Sequence, residues 1–129
     1  MKIGEFAERT GVSIDTIRYY EKIDLLHPEI KNTQRFYGNH DIDIMDIIIK
    51  LKQTGFSLQE IKMLFEWSKD TDPNKRLTNE EMQNVLRIKE VFQEKYAQMV
   101  QREKNIKQIK QVLRKADNKI SQILEANKG

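Results

Sequence analysis

Residues 10–21 read TGVSIDTIRYYE, and this stretch decides how the first half of the chain folds. Glycine often ends a helix in the left-handed conformation, so Gly11 is predicted to end a first helix over 3–10. Ser13 is a favoured N-cap residue and is predicted to open a second helix. Apolar residues recur on one face of this second helix, which we expect to be turned inward: Ile14, Ile17 and Tyr20. Two short helices joined by a tight turn predict a helix-turn-helix, whose second helix can enter a groove.

The stretch that follows, residues 24–39, predicts a small β-hairpin. Pro28 rules out a helix through it, because proline lacks the backbone N–H that a helix interior requires. Two short apolar runs flank a polar turn at 31–34, which is a hairpin pattern. The hairpin is predicted to form a wing on the two preceding helices.

Two more helices are predicted to complete the first domain. Asp41 is predicted to cap an isoleucine-rich helix that is mostly buried, and Gly55 is predicted to end it. Ser57 and Glu60 stand three residues apart, as in a capping box, and are predicted to open the next helix. A polar linker is predicted at 70–77.

The last part of the chain, residues 78–129, predicts one long helix with a short tail. Thr78 and Glu81 form a second capping box, and neither proline nor glycine follows until Gly129. The helix is predicted to reach about Leu124, a length of roughly 70 Å at about 1.5 Å per residue.

Apolar side chains recur along this helix at every seventh residue. One seam is apolar throughout: Val85, Phe92, Met99, Ile106, Leu113 and Ile120. The companion seam includes two charged residues: Ile88, Lys95, Arg102, Ile109, Ala116 and Ile123. An isolated helix cannot bury these seams, so they predict a left-handed coiled coil with a second copy of the chain. We expect the dimer contact to be made by the first seam together with Ile109 from the companion seam. The charged residues leave open a kink near Arg102 or a break near Asp117.

Composition limits the classes of function. The chain has 129 residues and no cysteine, which excludes disulfides, zinc–thiolate sites and iron–sulfur clusters. His27 and His40 have no carboxylate cluster at ligand spacing, so neither a metal site nor a cofactor is expected. A nucleophile–base pair and a phosphate loop are also missing, so an enzyme is not expected. No apolar run approaches the roughly 18 residues of a membrane span, and we expect a soluble, cytoplasmic protein.

Net charge alone does not locate a DNA-binding half. The whole chain has a formal net charge of +3. Residues 1–69 hold ten Lys and Arg against eleven Asp and Glu, whereas residues 70–129 hold thirteen against nine. The first part is therefore slightly acidic, and any case for DNA binding there depends on where individual cations lie.

The second helix of the helix-turn-helix supplies the candidate base contacts. A recognition helix places a few polar groups near base edges, while neighbouring groups hold phosphates. The candidates lie in its first two turns: Ser13, Asp15, Thr16, Arg18 and Tyr19. Arg18 can bind guanine through two hydrogen bonds or hold a phosphate. Asp15 is unfavourable beside phosphate, so it either accepts from a cytosine amine or supports the helix start.

Six segments stand in order and at characteristic spacing: IGEFA at 3–7, TGVS at 10–13, TIRYYE at 16–21, LLHP at 25–28, RFY at 35–37 and GFSLQEI at 55–61. Together they resemble the winged-helix head of MerR-family transcriptional regulators. The long helix also resembles the antiparallel dimerisation helix of that family. Asp24 stands where the family usually has glycine, and aspartate tolerates the left-handed conformation. Thr33 and Gln34 stand where the family often has Gly-Tyr.

The resemblance implies a mainly α-helical fold in three parts. A winged helix-turn-helix head with a β-hairpin wing occupies 1–69, a linker occupies 70–77, and 78–129 hold the antiparallel coiled-coil helix and a short tail. We refer to 1–69 as the head and to 78–129 as the arm. On this resemblance, the wing residues Arg35 and Tyr37 contact the DNA backbone.

The resemblance also implies a mechanism. Lys52, near Gly55, is expected to contact the DNA backbone from a second wing. A homodimer is expected to bind double-stranded promoter DNA at an inverted repeat, to bend and untwist the spacer, and to act with RNA polymerase. Family members sense metals through cysteines or organic ligands through an added C-terminal domain, so the effector stays open here, as does activation or repression.

A second class of function stays open on the sequence alone. An architectural or partner-binding coiled-coil protein can use a winged helix as an interaction module. The two classes differ in one observable, because an interaction module leaves no sequence-specific protection on promoter DNA.

Overall fold

The computed structural model describes residues 1–69 and 72–129, which fall into two compact units, Met1–Pro73 and Asn74–Gly129. The predicted linker at 70–77 includes Asp70 and Thr71, which lie outside the described residues. Five helices and one two-stranded sheet make up the described part of the chain. The predicted fold class, mainly α-helical with a small β-hairpin, is confirmed.

The helix-turn-helix forms as the sequence predicts. Helix α1 spans Ile3–Thr10 and helix α2 spans Ile14–Lys22. Gly11 ends α1 with a φ of 71°, a conformation that glycine adopts without steric cost. The Ser13 hydroxyl caps α2 by accepting a hydrogen bond from the Thr16 backbone N–H at 3.2 Å.

The buried face of α2 is narrower than the sequence predicts. Ile17 and Tyr20 are buried, but Ile14 is 38% exposed, so the expectation that it faces inward is wrong. Residues advance by about 100° each around a helix axis, so Ile14 and Tyr20 lie about 60° to either side of Ile17. Helical geometry alone does not separate them, and the rest of the first unit packs on the Tyr20 side of Ile17.

The wing is an antiparallel hairpin of β1 (Glu29–Lys31) and β2 (Gln34–Phe36). Its two turn residues, Asn32 and Thr33, have positive φ angles of 50° and 63°. Two successive positive φ angles are what a two-residue type I′ hairpin turn requires. Asp24, before the wing, has a φ of 70°, which confirms that aspartate adopts the left-handed conformation there.

Helices α3 (Asn39–Gln53) and α4 (Leu58–Trp67) complete the first unit. Asp41 is not the N-cap residue, contrary to the prediction, because α3 begins two residues earlier and Gly38 occupies the cap. Glycine has no side chain with which to cap. The Asp41 carboxylate serves the helix start instead, accepting a hydrogen bond from the Gly38 backbone N–H at 2.8 Å.

Both predicted capping boxes are present. The Ser57 hydroxyl accepts from the Glu60 backbone N–H at 3.1 Å, while the Glu60 carboxylate accepts from the Ser57 N–H at 2.9 Å. Thr78 and Glu81 make the same pair of bonds at the start of helix α5, which spans Asn79–Ala126. These bonds with Thr78 lower the pKa of the Glu81 carboxyl.

The long helix α5 is continuous through both points where the sequence left a kink or break open. All of its residues are described, and each one from 101 onward is exposed. Several seam residues are more than half exposed: Ile106, Ile109, Leu113, Ile120 and Ile123. Neither α5 nor any other helix in the described residues has the length and apolarity needed to cross a bilayer.

The core of the first unit joins the helix-turn-helix to the wing and to α3 and α4. Its fully buried side chains come from all four helices of this unit and from the segments that flank the two strands: Phe6, Ile17, Leu26, Tyr37, Met45, Ile48 and Ile61. Because α2 and the segment after β2 share this core, the outward side chains of α2 and of the wing are held on one rigid body.

Candidate nucleic-acid interface

An open cleft of about 550 Å³ lies where α2 meets the wing. It is lined by residues from three separate parts of the chain: Lys2, Ile3, Arg18, Glu21, Lys22, Gln34 and Arg35. Four of these side chains are cationic and one is a carboxylate, so cations outnumber acids here although the head as a whole is slightly acidic. We call this site the cationic cleft. Such a concentration of positive charge attracts an anionic ligand.

The cleft includes two of the predicted DNA contacts and two cations that the sequence did not single out. Arg18 and Arg35 were predicted, whereas Lys2 and Lys22 were not. Lys22 stands four residues after Arg18, and this spacing places both on one face of α2, so a signal for Lys22 was present. Lys2 precedes α1, and no local pattern indicates that it approaches α2.

A hydrogen bond joins the wing to the recognition helix across the cleft. The Arg35 guanidinium donates from Nε to the Glu21 carboxylate, whose side chain is largely buried. This hydrogen bond and the Glu21 charge raise the pKa of Arg35. A guanidinium has five N–H donors, so the half-exposed Arg35 side chain keeps donors for phosphate oxygens while Glu21 orients it.

The contact residues predicted at the start of α2, from its cap through its second turn, divide into two groups. The Ser13 hydroxyl donates to the Thr16 hydroxyl oxygen at 2.9 Å, and Thr16 is half-buried, so these two hydroxyls are engaged in the helix cap. Asp15 and Arg18 are exposed. Tyr19 is also exposed, with its ring tilted against the buried Tyr20 ring at a centroid distance of 6.4 Å.

Tyr37 does not act as the resemblance implied. Its side chain is 1% exposed, and its ring stacks on the ring of Phe6. The phenol oxygen is buried near the Glu21 carboxylate but makes no well-formed hydrogen bond within the described residues, and that carboxylate accepts from Arg35. A buried hydroxyl cannot reach a phosphate, so the expected backbone contact by this side chain is wrong. Burial, with the nearby Glu21 charge, raises the pKa of Tyr37.

Lys52 lies on the surface but outside the cationic cleft. It stands in the last turn of α3 and is exposed. Its carbonyl accepts a hydrogen bond from the Gly55 backbone N–H at 3.1 Å, and Gly55 has a φ of 96°. The structure therefore leaves Lys52 as a separate surface cation, whose expected role at the DNA backbone stays a prediction.

The described residues offer little to a metal ion. Within 1–69 and 72–129, no group of three or more His, Asp and Glu side chains is arranged to hold one. His27 lies beside Asp24, with Nε2 and Oδ1 3.3 Å apart, and both side chains are exposed. An exposed pair of this kind is an ordinary surface contact.

Comparison with known proteins gives one family. Residues 1–67 match the family described as MerR HTH family regulatory protein. The chain is 49% identical over 61 residues to the uncharacterized HTH-type transcriptional regulator YyaN of Bacillus subtilis, covering 46% of this chain and 44% of that protein. It is 39% identical over 66 residues to the mercuric resistance operon regulatory protein of Bacillus cereus, covering 49% of each. The chain thus spans about half the length of these relatives.

Solved structures extend the similarity into the arm. HiNmlR, a MerR family regulator lacking the sensor domain and bound to promoter DNA, is 25% identical, with a TM-score of 0.55 over 91% of this chain and 78% of that one. A MerR family transcriptional regulator from Bacillus thuringiensis is 26% identical, with a TM-score of 0.50 over 89% of this chain and 97% of that one.

Proposed function

This chain belongs to the MerR family of helix-turn-helix regulatory proteins, and we propose that it is a sequence-specific DNA-binding transcriptional regulator acting as a homodimer. The cationic cleft carries this proposal. It lies beside the exposed face of α2, so a duplex that placed α2 in its major groove would bring a phosphate strand to the cleft.

The charges of the cleft suit a phosphodiester backbone. Lys2, Arg18, Lys22 and Arg35 converge on one volume, and Glu21 orients Arg35 within it. Each phosphate that the protein neutralises releases counterions, so affinity falls as the salt concentration rises. The logarithm of the binding constant falls with the logarithm of the salt concentration by about 0.9 per phosphate contact. Three or four such contacts per head would give a strong salt dependence.

The arm supports a homodimer. The large apolar seam residues from 106 to 123 are more than half exposed in the described structure: Ile106, Ile109, Leu113, Ile120 and Ile123. Water-exposed apolar side chains at heptad spacing are stabilised by a second helix. We place the dimer contact along Val85, Phe92, Met99, Ile106, Ile109, Leu113 and Ile120. A symmetric dimer matches a symmetric site, so we propose an inverted repeat as the operator.

The proposed mode of regulation is distortion of the promoter. A dimer that holds both halves of a repeat lying between promoter elements can bend and untwist the intervening DNA, at a cost of about 1–6 kcal/mol that its contacts must offset. RNA polymerase would then engage realigned elements.

Footprinting tests the proposal. The full chain is added to duplexes that carry the DNA flanking its gene and, as a control, to a shuffled duplex of equal composition. We expect protection of an inverted repeat with enhanced cleavage at its centre, and a promoter response that is lost when one or two base pairs are deleted from the spacer. Protection with an undistorted centre would favour simple steric repression. No sequence-specific protection would favour an interaction module instead.

A further inference from the structure

We propose that Ile14, the first residue of α2, determines operator specificity by packing against the 5-methyl group of a thymine in the major groove. This inference rests on the proposed function and adds to it a named base contact. It starts from the exposure of Ile14, which the sequence pattern had placed in the core.

Ile14 lies outside the packed core of the first unit. It is 38% exposed, and it belongs neither to the buried core nor to the partly buried apolar side chains that pack against that core. Its helix is held without it, since Ile17 and Tyr20 are buried. Exposure of a branched apolar side chain costs solvation free energy, and this cost is recovered where a ligand covers the side chain.

The position of Ile14 is where a recognition helix meets base edges. The N-terminal residues of such a helix lie deepest in the major groove. Ile14 stands one turn before Arg18, on the same side of α2, and Arg18 lines the cationic cleft. If Arg18 contacts a phosphate or a guanine, the preceding helical turn, which contains Ile14, lies next to the adjacent base pairs.

The chemistry of the first turn favours a base edge over the backbone. Asp15 repels phosphate, and the hydroxyls of Ser13 and Thr16 are bonded to each other. Ile14 is then the apolar group that this turn presents, and the thymine methyl is the apolar group that the major groove presents. Contact between them excludes water from both surfaces and distinguishes thymine from cytosine.

Removal of that methyl group is a direct test. An operator is first selected from random duplexes with the full wild-type chain, and each thymine is then replaced in turn by deoxyuridine, which lacks only the methyl group. We expect one thymine in each half-site at which this change weakens wild-type binding by about three- to tenfold. In Ile14→Ala the operator binds more weakly, and the same replacement has less than a twofold further effect.

Two controls separate this contact from structural effects. Ile14→Val keeps a branched side chain and is expected to retain most of the sensitivity to the methyl group. Ile14→Ala is expected to melt within a few degrees of wild type and to keep the wild-type salt dependence, because it loses no phosphate contact.

The outcomes are distinct. If no deoxyuridine changes wild-type affinity twofold, or if wild type and Ile14→Ala lose equally at the same thymine, the assignment of Ile14 is overturned while operator binding stands. If the selection enriches no common sequence, the proposed function itself fails.

Discussion

The rings of Phe6 in α1 and Tyr37 after β2 stack with their centroids 4.5 Å apart and their planes 13° from parallel. The Tyr37 backbone N–H also donates to the Met1 carbonyl at 2.7 Å. These contacts fix the exit of the wing against the helix-turn-helix. They explain how Arg35, two residues before Tyr37, is held in reach of Glu21 and the cationic cleft.

Tyr37→Phe is expected to stabilise the protein by at most about 1 kcal/mol at neutral pH, because it keeps the ring stack and removes a buried hydroxyl whose neighbouring acceptor, Glu21, is already bonded to Arg35. Burial raises the pKa of Tyr37. As the pH rises, the phenol therefore loses its proton at a lower pH in the unfolded chain than in the folded protein. The contribution of Tyr37 to stability is thus complete below about pH 10 and falls above it. Urea unfolding at neutral pH and above pH 10 measures both effects.

The exposed Tyr19 provides the control for this prediction. Tyr37→Phe is expected to reduce the alkaline loss of stability, and Tyr19→Phe, which changes an exposed ring, is expected to leave the stability at neutral pH as in wild type. Operator affinity should be unchanged in Tyr37→Phe. Destabilisation by this substitution, or weaker operator binding, would show that the hydroxyl has a partner after all.

Thr33→Gly is expected to stabilise the head by about 1 kcal/mol. Thr33 is β-branched and has a φ of 63°, a conformation that costs L-residues about 1–2 kcal/mol and glycine almost nothing. Part of that gain is offset by the greater chain entropy of glycine in the unfolded state. Thermal and urea unfolding measure the change. The control is Thr10→Gly, inside α1, which should destabilise; a Thr33→Gly protein less stable than wild type refutes the strain argument.

Arg18→Ala is expected to weaken operator binding by about 1–3 kcal/mol and, if Arg18 contacts a base, to reduce discrimination against a scrambled duplex. Lys52→Ala should weaken binding to both duplexes alike and lower the salt slope, as loss of a phosphate contact does. Titrations at several salt concentrations separate the two patterns. Arg9→Ala, exposed and outside the cationic cleft, is the matched control. Equal affinity of wild type and Arg18→Ala would exclude a role for Arg18 in recognition.

Ile106→Asp is expected to give monomers or aggregates, because it places a charge in an apolar seam that a partner helix would desolvate. Gln108→Asp adds the same charge about 200° around the helix and should stay dimeric. Sedimentation equilibrium of both variants measures the difference. A dimer that tolerates Ile106→Asp as well as Gln108→Asp would show that the seam is elsewhere.

Metal salts are expected to leave DNA affinity unchanged. The chain has no cysteine, and His27 and His40 are its only imidazoles, so zinc, copper and mercury lack their preferred ligands. Operator binding at neutral pH, measured with a chelator and then with each salt, should agree within twofold. A reproducible, stoichiometric metal effect would contradict this prediction.

The helices, most of their caps and the hairpin follow from local rules and are readable in the sequence; the exception is the start of α3, where Gly38 and not Asp41 is the N-cap residue. Gly11 and Ser13 mark the turn, Ser57 and Thr78 open their helices, and the polar run at 31–34 marks the hairpin turn, which the structure places at Asn32 and Thr33. In each case the deciding interaction joins residues a few positions apart, so the sequence pattern contains it. The heptad repeat of α5 is local in the same sense.

The tertiary structure decided which side chains are exposed and which distant cations come together. The apolar spacing of α2 did not distinguish Ile14 from Ile17, because their burial depends on how the rest of the first unit packs against α2. A tyrosine at position 37 did not by itself indicate that its ring would be buried against Phe6. Lys2 and Arg35 are separated by about half of the head in sequence, and their approach to Arg18 depends on a core built from the four helices of the first unit and the segments beside the wing strands. A local pattern specifies a helix and its caps, but the direction in which one element packs on another is set by the burial of side chains that are remote in the chain.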